Sequence, residues 1–259
     1  PALKTHTKCI LVVRREGDGV RRYVHIGTGN YHPDTARLYT DFGLFTCDED
    51  LGADVADMFN LLTGYARPRS YRKALVAPEH LRDGILEEIR ATVAAHERGE
   101  RARIRMKMNA LVDKRCIRAL YEASRAGVPV ELNIRGICCL VPEVPGVSEN
   151  IRVVSIVGRF LEHSRIFSFE RGDDVRVYIG SADLMPRNLD TRVELVAPVE
   201  DEIAKADLLD TLDRAFVDDV NAWELRADGT WQRRTPGPEP RMLQRELMVG
   251  HAARAADHD

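Results

Sequence analysis

The alternation of apolar and polar positions predicts a β-hairpin near the start of the chain. Residues 7 to 14 and 21 to 27 are its strands, and Glu16-Gly17-Asp18-Gly19 is its turn. The same arrangement returns later, with an apolar stretch, Glu170-Arg171-Gly172-Asp173-Asp174 and then Arg176-Val177-Tyr178-Ile179. Between the two hairpins the period changes. Leu51, Val55, Met58, Phe59 and Leu62 predict a helix over Asp48 to Gly64. Leu81, Ile85, Ile89 and Val93 predict another over Pro78 to Arg98. Strands are expected at Ala102 to Met108, Val128 to Ile134 and residues 150 to 157, with a helix at Lys114 to Ala126 closed by Gly127. This β-α-β order implies parallel strands joined by a right-handed crossover. Residues 34 to 37 read as a short helical or turn element opened by Asp34, and Leu38 to Cys47 as mixed, with Thr40 to Gly43 a loop. Tyr65 to Lys73, with Arg67, reads as a basic, solvated linker. Asp201 to Leu225 reads as a closing helix, and the polar residues 226 to 259 as a peripheral or partly disordered tail.

Composition narrows the classes. With 259 residues and 44% hydrophobic content, the chain can build a substantial core. A net charge of -3 argues against a uniformly basic nucleic-acid protein, and no nucleic-acid partner is expected. The longest apolar runs, Ile10 to Val13 and Val153 to Val157, are far too short for a membrane span. The five cysteines form no CxxC, which suits reduced thiols and a cytoplasmic location. The chain opens at Pro1 without Met and enters a strand almost at once, so a piece of a longer protein is expected.

The two hairpins carry the candidate chemistry. Each is preceded by a histidine and a cation, His6-Thr7-Lys8 and His163-Ser164-Arg165. Each is followed by a glycine loop, Gly27-Thr28-Gly29-Asn30 and Gly180-Ser181-Ala182-Asp183. A neutral histidine can attack phosphorus, and a protonated one can serve a leaving oxygen. Taken alone, either histidine reads as an ordinary packed or solvated residue, and either loop as an ordinary turn. The repetition favours two half-sites around one phosphorus centre, with Lys8 and Arg165 on non-bridging oxygens. Asp41 and Glu194, each downstream of its own histidine unit, are candidates to orient the imidazoles, or else surface carboxylates. Arg135, at the end of the strand to Ile134, reads as a ligand group or a structural ion pair. Tyr39 reads as a base-stacking or a core residue.

Paired His-x-basic half-sites resemble the phospholipase D-like superfamily, although the Asp of its HxKxxxxD motif is replaced by Val13 and Glu170. Longer strings are similar to the long-chain-forming bacterial polyphosphate kinases. They include Tyr23 to Tyr31, Tyr39 to Leu44, Asn133 to Cys138, Phe160 to Ile166 and Gly180 to Asp190. The resemblance, which runs from about Pro1 to about Val199, implies an α/β fold of phospholipase D-like domains with mixed β-sheets flanked by helices. Residues 1–73 would be the later part of one such domain, 74–225 a second, and 226–259 a tail. It implies phosphorylation of His6, with His163 as the general acid. It also implies ATP contacts at Tyr39, Arg135 and His163, with Lys8, Asp41, Arg165, Arg192 and Glu194 around the phosphates or histidines. The expected partners are ATP, ADP and inorganic polyphosphate, with magnesium held by residues upstream of this chain and a homo-oligomer for the full-length protein. Alternatives are a phosphodiesterase and a non-catalytic polyanion-binding fragment.

Overall fold

The computed structural model describes residues 3–17, 19–65 and 68–256. Pro1, the Asp18 of the predicted turn and the Arg67 of the predicted linker lie outside the described residues.

The first hairpin pairs β2 (Lys8–Glu16) with β3 (Gly19–Gly27), after a two-residue strand β1 (Lys4–Thr5). Next come α1 (Pro33–Leu38), β4 (Tyr39–Thr40), β5 (Gly43–Thr46) and α2 (Glu49–Leu62). His32, rather than Asp34, caps α1, since its side chain accepts from Asp34 N and Pro33 takes the first helical position. The stretch predicted as mixed holds two strands, with β5 extending the hairpin into a three-stranded antiparallel sheet. Asp48 caps α2 by accepting from Leu51 N at 2.8 Å.

The predicted linker is pinned along its later part. Buried Asp54 on α2 accepts backbone N–H bonds from Arg72, Lys73 and Ala74, and Lys73 Nζ donates to Asp48 and Glu200. The chain then forms β6 (Leu75–Ala77), α3 (Leu81–Glu97), β7 (Ala102–Met108), α4 (Lys114–Arg125), β8 (Val130–Ile134) and β9 (Ile151–Ile156). Because β6 runs to Ala77, residues 78 to 80 form a turn and α3 starts later than the periodicity predicts. Strands β7, β8 and β9 are parallel, as the β-α-β order requires.

The second hairpin follows β10 (Leu161–Glu162) and pairs β11 (Ile166–Arg171) with β12 (Asp174–Gly180). After α5 (Pro186–Asp190) and β13 (Arg192–Pro198), the predicted closing helix divides into α6 (Glu202–Val217) and β14 (Ala222–Leu225). Buried Asp218 ends the helix and accepts from the N–H groups of Val220 and Asn221, which turns the chain into the strand. The expected tail is ordered as β15 (Trp231–Arg233), paired with β14, and α7 (Leu243–Ala256). Leu243 anchors α7 in a small core with Ile156, Ala215 and Ala222, a contact that the polar composition of the tail conceals.

The architecture is the expected mixed α/β type. Among the described residues a ten-stranded mixed sheet runs β1-β13-β12-β11-β7-β8-β9-β14-β15, with β6 on β13. Helices α3 and α4 pack the main core over Ile104, Met106, Phe167 and Phe169. A second core joins Val24, Val55 and Met58 of the first half to Val193 and Leu195 of β13, so the two halves share apolar interior. No helix among the described residues is long and apolar enough to cross a membrane.

Candidate active site

Two short parallel pairings between the halves build the site. Strand β1 pairs with β13 in the register Lys4↔Arg192 and Thr5↔Val193. Strand β10 pairs with β4 in the register Leu161↔Tyr39 and Glu162↔Thr40. In both cases the next residue on one strand is a histidine and the next on the other is a carboxylate. His6 therefore meets Glu194, with Nδ1 2.9 Å from the carboxylate. His163 meets Asp41, with Nδ1 2.8 Å from Oδ1. This corrects the expectation that each carboxylate serves its own unit. The pairing is crossed because the strands that align the residues are exchanged between halves.

The glycine loops are related in the same way. Thr28 Oγ1 donates to Asp41 Oδ1 at 2.6 Å, and Ser181 Oγ donates to Glu194. Each hydroxyl also accepts a backbone N–H from the residue after its carboxylate, Phe42 at 2.9 Å and Leu195 at 3.2 Å. Gly29 is required, because a Cβ there would lie 2.1 Å from Asp41 Oδ2. Gly180 is required too, because its Cβ would lie 2.2 Å from Leu195 O. The loops thus hold carboxylates through hydroxyls, a role that sequence reasoning did not give to Thr28 or Ser181. The available signal was spacing, since each hydroxyl precedes its carboxylate by 13 residues.

The two half-sites differ in burial. Glu194 is 0% exposed and also accepts from Asn188 Nδ2 at 2.6 Å, a partner that sequence reasoning missed. Arg192 lies at 4.0 Å from the same carboxylate. A carboxylate only accepts, so Nδ1 of His6 carries the hydrogen, which in the neutral imidazole leaves the lone pair on Nε2. Around His163 the environment is more cationic. Burial lowers its pKa below the ordinary histidine value, with Arg165 and Arg135 acting in the same direction and Asp41 opposing them. The Tyr39 ring packs against the His163 ring, with centroids 4.9 Å apart.

The cations also take distinct places. Lys8 is buried and donates to His6 O at 2.5 Å. Burial pushes its ammonium down to about 8, helped by Arg165 and Arg192 and opposed by Glu194 and Asp41. Arg165, expected on phosphate oxygens, is turned inward instead. Its Nε and Nη2 donate to Asp183 at 3.2 Å each, and its Nη1 donates to His163 O and Thr28 O and lies 3.1 Å from His163 Nε2. It is a buried strut between the halves. Arg135 lies just beyond β8, half-buried, with Nε donating to Asn109 Oδ1 at 3.1 Å. Asp183 accepts from Asn109 N at 2.8 Å and so links Arg135 to Arg165. Glu170, in the place of the motif Asp, is buried between Arg103 and Arg105. Arg171 lies against Glu88, with Asp174 3.8 Å away.

The combination is a set of tools for phosphoryl chemistry. One histidine presents an acceptor nitrogen backed by a buried carboxylate. A second, harder to protonate, sits among cations. Lys8, whose pKa is lowered to about 8, is charged near neutral pH and loses that charge as pH rises through about 8.

Sequence comparison agrees with this geometry. Residues 1–68 match the model of polyphosphate kinase C-terminal domain 1, and residues 74–244 that of polyphosphate kinase C-terminal domain 2. The chain is 58% identical over 238 residues to the polyphosphate kinase of Thermosynechococcus vestitus, covering 92% of this chain and 32% of that protein. It is 50% identical over 249 residues to that of Streptomyces coelicolor, covering 95% and 33%. The crystal structure of polyphosphate kinase from Porphyromonas gingivalis superimposes with a TM-score of 0.92 at 35% identity, covering 98% of this chain and 40% of that one. The chain therefore spans about a third of the length of these curated relatives. With one domain model covering most of its length and a second covering the start, this chain belongs to the polyphosphate kinase family.

Proposed function

We propose that the chain carries the phosphoryl-transfer centre of an ATP:polyphosphate phosphotransferase. Nε2 of His6 attacks the γ-phosphorus of ATP, forming an N–P bond as the bond to the β-phosphate oxygen breaks and ADP leaves. The terminal oxygen of a polyphosphate chain then attacks the phosphohistidine, the N–P bond breaks and the polymer grows by one unit. The reverse sequence regenerates ATP. His163 serves the leaving oxygen from Nε2 in its doubly protonated form, with Nδ1–H held by Asp41 and the second proton taken up when the anionic substrate binds among its cations. Lys8 and Arg135 stabilise the charge that develops on the equatorial oxygens, and Tyr39 packs beside the nucleotide.

The crossed His6–Glu194 and His163–Asp41 pairs carry this reading. A buried carboxylate on Nδ1 fixes the tautomer that leaves Nε2 nucleophilic and stabilises the imidazole as it acquires charge. Two such pairs supply the nucleophile and the acid that in-line displacement needs. Residues 1–73 act as the later part of the first catalytic domain, and residues from 74 as the second. The longer protein works in the cytoplasm as a homo-oligomer, on polyphosphate and nucleotide rather than nucleic acid. Among the described residues no three His, Cys, Asp or Glu side chains converge as a metal site. The magnesium is assigned to residues of the longer protein upstream of this chain, where it would help to neutralise the phosphate charge.

Incubation with γ-labelled ATP tests the proposal. An acid-labile, base-stable label that is lost in His6→Ala and chased into polymer by polyphosphate supports it. Cleavage of a phosphodiester with no such label contradicts it.

A further inference from the structure

The buried ion pair of Lys107 and Glu162 has no part in the chemistry above. Their side chains are 2% and 3% exposed, with Nζ 3.0 Å from Oε2. Such a pair is costly to desolvate, and apolar residues of similar volume are often as stabilising. Its surroundings suggest what it does instead. Lys107 also donates to Ser164 Oγ at 2.7 Å and Ser164 O at 3.3 Å. Glu162 accepts from Thr40 Oγ1 at 3.0 Å and from Gln244 Nε2 at 2.7 Å. Gln244, on the first turn of α7, also brackets Phe160, accepting from its N–H at 3.0 Å and donating to its carbonyl at 2.9 Å. Thr40 Oγ1 in turn accepts from His163 N at 3.3 Å. One cluster therefore holds the residues on both sides of His163 and the residue before Asp41. Burial pushes the Glu162 carboxyl up, but Lys107 and the bonds from Gln244 and Thr40 outweigh it and hold it below the usual range.

We propose that Glu162 is a positioning residue for the His163–Asp41 pair. Lys107 and Gln244 hold it in place, and through Thr40 it sets the register at which imidazole meets carboxylate. Helix α7 is then a strap that locks the histidine loop from behind. The proposal rests on the reading of His163 as proton donor, but its geometric content is a hydrogen bond and not a rate.

The test uses the full chain labelled with 15N-histidine and reads the tautomer of each imidazole by long-range 1H–15N correlation. In the parent protein both His6 and His163 are expected to show the Nδ1–H form. Thr40→Val, Glu162→Gln and Gln244→Met are expected to shift His163 toward a mixture with the Nε2–H form while His6 stays unchanged. Thr40→Ser is expected to restore the parent pattern. If Glu162→Gln does not fold, the paired variant Lys107→Met with Glu162→Met removes both charges and takes its place. An unchanged His163 in the folded variants overturns the proposal. So does an equal change at His6, which would mark general loosening. Because the readout needs no turnover, failure of the phosphotransferase reading is seen separately, as absence of phosphohistidine in the unsubstituted chain.

Discussion

The Nδ1–H of His6 is donated to Glu194, 2.9 Å away, although 188 positions separate the two residues in the chain. The same relation joins His163 to Asp41 with the halves exchanged. Neither half can complete its own histidine. The site exists only because β1 pairs with β13 and β10 with β4.

Loss of the Glu194 charge should therefore disable His6. Glu194→Gln keeps the shape but removes the obligatory acceptor, so the imidazole can adopt the wrong tautomer. Phosphohistidine formation in a rapid-quench assay is expected to fall by about 10³–10⁴-fold.

The hydroxyls beneath the carboxylates should show matched effects. Thr28→Val and Ser181→Ala each remove one hydrogen bond to a charged group, worth about 1.5–3 kcal/mol. If that bond matters fully in the transition state, turnover falls by about 10–150-fold. A large effect at only one of the two loops would argue against a shared role for the two hydroxyls.

Gly29→Ala should match Asp41→Asn in severity. The added methyl would lie 2.1 Å from Asp41 Oδ2, so the carboxylate must leave His163. Comparing kcat for the two variants, with circular dichroism as the folding control, decides it.

Polyphosphate affinity should fall as pH rises through about 8. Lys8 has a lowered pKa of about 8, so it is charged below that pH and neutral above it. One ionisation of this kind predicts about a tenfold loss of affinity between pH 7 and pH 9. Calorimetric titration of Lys8→Met should show weaker binding at pH 7 and a flatter pH dependence.

Asp54→Ala should destabilise the junction between the halves. The carboxylate accepts three backbone N–H bonds from residues 72 to 74, and its loss leaves them without that partner, the buried Ala74 N–H among them. A cost of about 3 kcal/mol is expected, visible as a lower Tm.

Much of the site was legible from the chain because repetition marks it. The two His-x-basic hairpins, the glycine loops and both carboxylates are visible in the sequence. The partner of each carboxylate was not, because nothing in local spacing shows that two-residue strands pair across the halves. Arg165 read as a phosphate ligand because it holds the place of Lys8 in the repeated unit, yet Asp183, two carbonyls and the His163 ring surround its donors. The C-terminal segment read as a tail because its polar residues mask one anchoring leucine and one buried glutamine, Leu243 and Gln244.

The most direct test of the account is the ring position of the phosphoryl group on His6. After brief reaction with ATP, 31P–15N coupling in histidine-labelled protein distinguishes Nε2 from Nδ1. The crossed pair with Glu194 predicts phosphorylation of His6 at Nε2. Phosphate on Nδ1 of His6, or on His163, would contradict it.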